Sequence, residues 1–199
     1  MILKTAWIYE KKAHPELSIL MPLSVGVESQ CEIAEFTLAQ GCEIPVEEIA
    51  NRMNPFLPTG LRALASYDGG QKAGKLAWLR ARLVLDYDAA AAIPVGQEPD
   101  RIEALQTLFA LPELIVEKHS KKGNTEMDIA PMIQEIQVGT NGPDSPSCLV
   151  IEALVAAQNP TLNPLLLITA VERYLPDHRP DHVLCRRIEI YDAQMEPFR

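Results

Sequence analysis

At 199 residues, 47% of them hydrophobic and 23% charged, the chain has the make-up of a globular protein, long enough for one large domain or two small ones. Its 27 acidic residues outweigh 18 basic ones, and a net charge of -9 repels phosphate backbones and anionic lipid. That excludes broad nucleic-acid or membrane binding but leaves room for a local basic patch.

In chain order, Ile2 to Ile8 alternates at Leu3, Thr5 and Trp7 in strand fashion. Leu17 to Val25 is apolar and β-rich around Pro22, which predicts a strand with one irregular or edge position. In Cys31 to Leu38, Ala34, Phe36 and Leu38 share one face and Glu35 and Thr37 the other, the pattern of a half-buried strand. Val46, Ile49, Ala50 and Met53 then recur at helical spacing behind Pro45, with Glu47 and Glu48 in the first turn. Asn54-Pro55 ends that helix, and Leu61 to Tyr67 reads as a further strand closed by Asp68-Gly69-Gly70.

Past Gly70 the pattern returns in fuller form. Leu83, Leu85 and Tyr87 mark a strand, and Pro99 to Ala110 a helix that buries Ile102, Leu105, Leu108 and Phe109. Leu114 to His119 and Thr125 to Ile129 predict two strands joined across a lysine-rich turn, with Gln134 to Val138 continuing the second past Pro131. Leu149 to Ala156 is a buried strand, Asn163-Pro164 a helix start running to about Leu175, and His182 to Tyr191 a last strand. Helices alternating with strand pairs predict an α+β protein of two tandem ferredoxin-like (split β-α-β) halves, 1–70 and 71–199, meeting near Gly69 to Leu79. The first half is incomplete at its N-terminus. A ferredoxin-like sheet has its first strand at the centre, so Ile2 to Ile8 is expected to fill that gap in part.

The four cysteines, Cys31, Cys42, Cys148 and Cys185, are scattered without a CxxC pair. With no signal peptide and no apolar run of about 20 residues, they read as reduced thiols in a cytoplasmic protein. The string DHRPDHVLC carries the metal-ligand types His178, His182 and Cys185, but Pro180 forbids the helix that would put both histidines on one face. No metal and no cofactor is expected. Glu28, Glu32 and Glu35 are acids close in sequence, and they read as a solvated strand end in preference to an acid–base pair. No nucleophile elbow or phosphate-binding glycine loop is present. The strongest local signal is the turn KHSKKG, where Lys118, His119, Lys121 and Lys122 gather beside Gly123. Two readings stand: a charged tip that keeps a hairpin soluble, or a grip on an anion of RNA or of a partner protein.

PLSVGVES (22–29), LPTGL (57–61), SKKGNTEMDIAP (120–131) and TLNP (161–164) follow one another in an order that resembles the radical SAM-associated protein family, domain of unknown function 2344. The resemblance runs from about His14 to Tyr191. Family members carry a further N-terminal strand and helix with a His-Leu-Asp signature, so this chain resembles a late-starting member, a fragment of a fusion or a shortened gene. Asn163 stands where an arginine is usual, and an anion site there does not carry over. A radical SAM enzyme needs three closely spaced cysteines for its iron–sulfur cluster, and this chain has none such. The resemblance therefore implies a non-catalytic accessory or interaction module beside a radical SAM protein, encoded adjacent or fused. The family's habitual gene neighbours add an RNA-modification or ribosome-related setting. Its Lys-Lys-Gly motif, followed by Glu126 and Asp128, favours the grip reading of the turn. The rival expectation is a stand-alone enzyme or small-ligand binder using a cleft between the two halves.

Overall fold

The structure, a computed structural model, describes residues 2–4, 17–38, 41, 43–87, 98–120, 123–141 and 148–199. It is mixed α+β. In chain order the first part contains β1 (Ile2–Lys4), β2 (Leu17–Leu20), β3 (Val27–Ser29), β4 (Ile33–Phe36), α1 (Val46–Met53) and β5 (Ala65–Tyr67). The second contains β6 (Leu76–Asp86), α2 (Glu98–Phe109), β7 (Ile115–Ser120), β8 (Gly123–Asp128), β9 (Ile133–Thr140), β10 (Cys148–Ala156), α3 (Leu166–Tyr174) and β11 (His182–Asp192).

Two sheets share one pattern. The larger runs β9-β10-β6-β11-β3, with β6 antiparallel to β10 and β11 and β10 antiparallel to β9. It follows that α2 carries the chain from β6 to a parallel β9, and α3 carries it from β10 to a parallel β11, each across one intervening strand. The smaller sheet runs β2-β4-β1-β5, and α1 joins β4 to β5 across β1. β1 therefore holds the centre that the sequence left for Ile2 to Ile8, although residues 5–8 lie outside the described residues. Unlike β6, it runs parallel to both neighbours, with Leu3 opposite Ala34 and Ser66.

Three local departures from the sequence pattern have physical reasons. The strand expected over Leu17 to Val25 ends at Leu20, because Met21 turns into left-handed backbone at φ 51° before Pro22. The chain that follows enters the other sheet as β3, in parallel with Cys185–Arg187 of β11. Second, Gln134 to Val138 belongs to a separate strand, since a 3-10 turn at Ala130–Met132 takes the chain off β8 and lays β9 along β10. Third, β6 begins at Leu76, inside the expected junction. Arg80 and Arg82 interrupt its apolar reading, but they stand on the open face against Glu135 and Glu152.

The main core lies between the larger sheet and its helices. Leu79, Ala81, Leu83 and Leu85 of β6 and Leu149, Ile151, Ala153 and Val155 of β10 meet Leu105 and Leu108 of α2 and Leu167, Ala170 and Val171 of α3. Each buried aliphatic side chain contributes about 1.5–3 kcal/mol. The smaller sheet has a much smaller core, centred on Ala34, Phe36, Ile49, Ala50 and Ala63. This asymmetry makes a prediction. Amides of β2, β4 and β5 should exchange with solvent through openings well below the global unfolding free energy, while those of β6 and β10 should require global unfolding. Native-state hydrogen exchange decides it, and equal protection in both sheets would overturn it. In the same experiment Leu83→Ala, a truncation at a fully buried position, should lower global stability by about 2–5 kcal/mol.

Candidate functional site

β7 and β8 pair only with each other, forming a hairpin apart from both sheets. Its base is anchored. Leu114, Val116 and Ile129 are fully buried, and Asp128 Oδ1 accepts the N–H groups of Leu114 at 2.8 Å and Ala130 at 3.0 Å. The Tyr174 hydroxyl on α3 accepts the Ile115 N–H at 3.1 Å. Beyond this base, every described side chain from Glu117 to Glu126 is exposed, so about 13 Å of arm projects from the body. Glu117 faces Glu126 across the arm, a like-charge pair that would destabilise it. Arg173 of α3 answers with an ion pair to Glu126 at 2.8 Å. The hydrogen bond to that carboxylate, ahead of the more distant Glu117, holds the guanidinium above its ordinary pKa.

Of the basic cluster expected at this turn, the described residues place Lys118, His119 and Gly123 on the hairpin. Lys118 is exposed opposite Thr125, His119 is opposite Asn124, and Ser120 is opposite Gly123. Gly123 has φ 115°, a conformation that a residue with a Cβ resists. Lys121 and Lys122 lie outside the described residues, as does the His119 side chain. The arm thus brings Lys118, His119 and Gly123 to one end of one hairpin.

The histidine string behaves differently. His178 ends a 3-10 turn, Pro176–His178, and His182 opens β11. His182 is exposed while Cys185 is 1% exposed, because positions three apart on a strand face opposite ways. Among the described residues no group of three or more His, Cys, Asp or Glu side chains is placed to hold a metal ion.

A second candidate site is a cleft of about 360 Å³ where the two parts of the chain meet, the place the rival expectation named, although its residues were not singled out from sequence. Met21, Pro22 and Ser24 line one side, Leu79 and the 157–164 loop the other, and Arg187 closes the end. PLSVGVES and TLNP therefore come together in space, bridged by Asn163 Nδ2 and Ser24 Oγ at 3.5 Å. The helix start expected at Asn163-Pro164 falls later, since α3 begins at Leu166 behind Leu165, and Asn163 Oδ1 accepts the Leu165 N–H at 3.1 Å in the turn that precedes it. Arg187 is 8% exposed. Its Nη1 donates to Glu32 Oε1 at 2.6 Å and to the Met21 carbonyl at 2.8 Å. Its Nε is buried with no hydrogen-bond partner among the described residues. A buried donor without a partner carries a desolvation cost, while Glu32 balances the charge of the guanidinium.

Glu32 thus departs from the solvated reading. Its side chain is 15% exposed and paired, whereas Glu28 stays at the surface with Arg186. The missed signal was an arginine on the apolar face of a strand, in register with Val183 and Cys185. Cys31 and Cys185 lie nearby as core residues, and burial pushes both thiols up to about 11.

The model of a family described as uncharacterized proteins conserved in bacteria, DUF2344, matches residues 12–164. No curated protein and no solved structure matches the chain. Among the described residues no helix is long and apolar enough to cross a membrane.

Removing Arg187 should strand the buried Glu32 carboxylate and release the Met21 turn. Arg187→Ala should cost about 3–5 kcal/mol in urea unfolding, and Glu32→Ala a comparable amount, with a double-mutant cycle giving strong coupling. Additive losses would refute the pairing. The thiols give a pH prediction. Both folded-state pKa values are raised, so their contribution to stability is complete below about 9 and lost as pH climbs toward about 11. The melting temperature should fall across that window, and Ellman's reagent at pH 8 should titrate Cys31 and Cys185 only after denaturant is added.

Proposed function

We propose a role from one premise: the chain belongs to the DUF2344 family of uncharacterized proteins conserved in bacteria. It acts as a non-catalytic accessory or interaction module for a radical SAM protein, encoded beside it or fused to it, in a cytoplasmic RNA-modification or ribosome-related process. The motif order described above supports the radical SAM link. The cluster-binding cysteine triplet would be the partner's, because the four cysteines here are scattered along the chain.

One observation carries the proposal. The β7–β8 arm is anchored at its base by Asp128 and Tyr174 and exposed beyond it, and it ends in the basic turn around Lys118 and Gly123. A rigid arm with a charged end suits docking on an acidic surface, whereas small substrates are generally bound in concave sites. We also read the two sheets as tandem ferredoxin-like halves, with the division near residue 70. The wiring β6-α2-β9-β10-α3-β11, with the arm inserted after α2, supports this for the second half. The order β2-β4-β1-β5 supports it for the first.

A second reading, a small-ligand binder, is favoured by the cleft of about 360 Å³ between the two parts, lined by Ser24, Asn163 and Arg187. One set of measurements separates the two. In the first reading, Lys121→Ala/Lys122→Ala should weaken binding to the radical SAM partner or to RNA at least tenfold, roughly one well-formed charge-assisted contact's 1.5–3 kcal/mol. The melting temperature should stay unchanged and the binding should weaken further with added salt. Unchanged affinity at both low and high salt would overturn the arm's role. A small molecule co-purifying in stoichiometric amount and lost on Ser24→Trp, a cleft-blocking change, would favour the second reading.

A further inference from the structure

We infer that the segment following β11, residues 193–199, is a clasp whose release frees the first sheet while the larger sheet stays folded. β11 ends at Asp192, and the chain then doubles back on it. Asp192 Oδ1 accepts the N–H groups of Gln194 at 2.9 Å and Glu196 at 3.0 Å. Met195 takes left-handed backbone at φ 64°, and Pro197 forms an antiparallel bridge with Tyr191. The Phe198 N–H then donates to the Ile190 carbonyl at 2.8 Å.

The returning segment fastens the junction of the two sheets. Gln71 lies on the link from β5 to β6. Its backbone N–H donates to the Arg199 carbonyl at 2.7 Å, and its Nε2 donates to Asp192 Oδ2 at 2.7 Å. Phe198 is fully buried, in the same core as Cys31 and Ile33 of the first part. The Arg199 guanidinium grips Glu189 of β11 with both terminal nitrogens, at 2.9 and 2.5 Å. Burial raises the pKa of the Tyr67 hydroxyl on β5, and the nearby Arg199 charge works against that rise.

These attachments are of two kinds. The bonds to Asp192 and Ile190 fold the segment onto β11. Those through Gln71 and Phe198 reach across the junction, where the first sheet brings only a small core of its own. Losing the second kind unfastens the junction and leaves the pairing of β6 with β10 and β11 intact. β11 also bulges between Arg187 and Glu189. One irregular stretch of strand therefore carries both the anchor of the clasp and the arginine that closes the cleft. Opening the clasp loosens that stretch, and one wall of the cleft with it.

The test pulses the intact chain with N-ethylmaleimide at pH 8 and reads each cysteine by peptide mass spectrometry. Cys31 is 3% exposed, so its labelling rate follows the population of the form in which the junction is open. Without denaturant, Phe198→Ala should raise that rate at least tenfold. Arg199→Ala, at a side chain 41% exposed and outside the core, should raise it roughly threefold. Leu83→Ala is the control. It weakens the larger sheet, which stays folded in the open form, so Cys31 labelling should not change. Acceleration by Leu83→Ala as great as by Phe198→Ala would mean that Cys31 is reached only through global unfolding, and the inference falls. Unchanged labelling in both Phe198→Ala and Arg199→Ala overturns it equally.

Discussion

The guanidinium of Arg187 is the point where the two parts of the chain are tied together. From β11 it reaches the Glu32 carboxylate just before β4 and the Met21 carbonyl just after β2. The backbone follows the same route, since β3 pairs in parallel with the residues around Arg187 and the Gln30 N–H donates to the Arg187 carbonyl at 3.0 Å. Beside this tie the first sheet meets the main core through Ile33, Leu20 and Tyr67. With the tie, the left-handed turn at Met21 is held, Ser24 faces Asn163, and the cleft acquires both walls. A buried ion pair adds little stability over an apolar pair of the same shape, but it penalises any arrangement that separates its partners. Its contribution here is to fix one relative placement of the two sheets.

The two sheets use the same β-α-β logic with very different resources. Long strands and two helices give the second sheet a continuous aliphatic core. Among the described residues the first has strands of three and four residues and one helix, and Arg187 ties it to the second. The molecule is thus a stable platform carrying a weaker appendage. The arm springs from the platform.

Much of this was legible in the sequence. Apolar spacing identified α1, α2 and α3 within a residue or two, and the alternation on either side of KHSKKG placed the β7–β8 hairpin and its tip. Those features are local: a period of 3.6 or 2 and a glycine at a turn. A cleft between the halves was among the expectations, but its residues were not legible, because they are held by a pairing between residues 155 positions apart, Arg187 and Glu32. No local pattern carries such a contact. A trace of it existed in Arg187 itself, which follows Val183 and Cys185 on the inward face of β11. The break at Met21 was legible only as an irregular position at Pro22, since nothing in LSILMPLSV shows that the strand ends at Leu20 and that the chain beyond it enters the other sheet at Val27–Ser29. β6 was underestimated for the opposite reason: its arginines look like loop residues until their cross-strand glutamates are known.

The position of α3 has a mechanical consequence. One end of this helix, at Arg173 and Tyr174, grips the base of the arm. The other follows Asn163 and Pro164, which line the cleft. Nine helical residues span about 14 Å, and a helix of that length transmits displacement with little internal give. The base of the arm and one wall of the cleft are therefore joined by a single short element, whose nine residues set the distance between them.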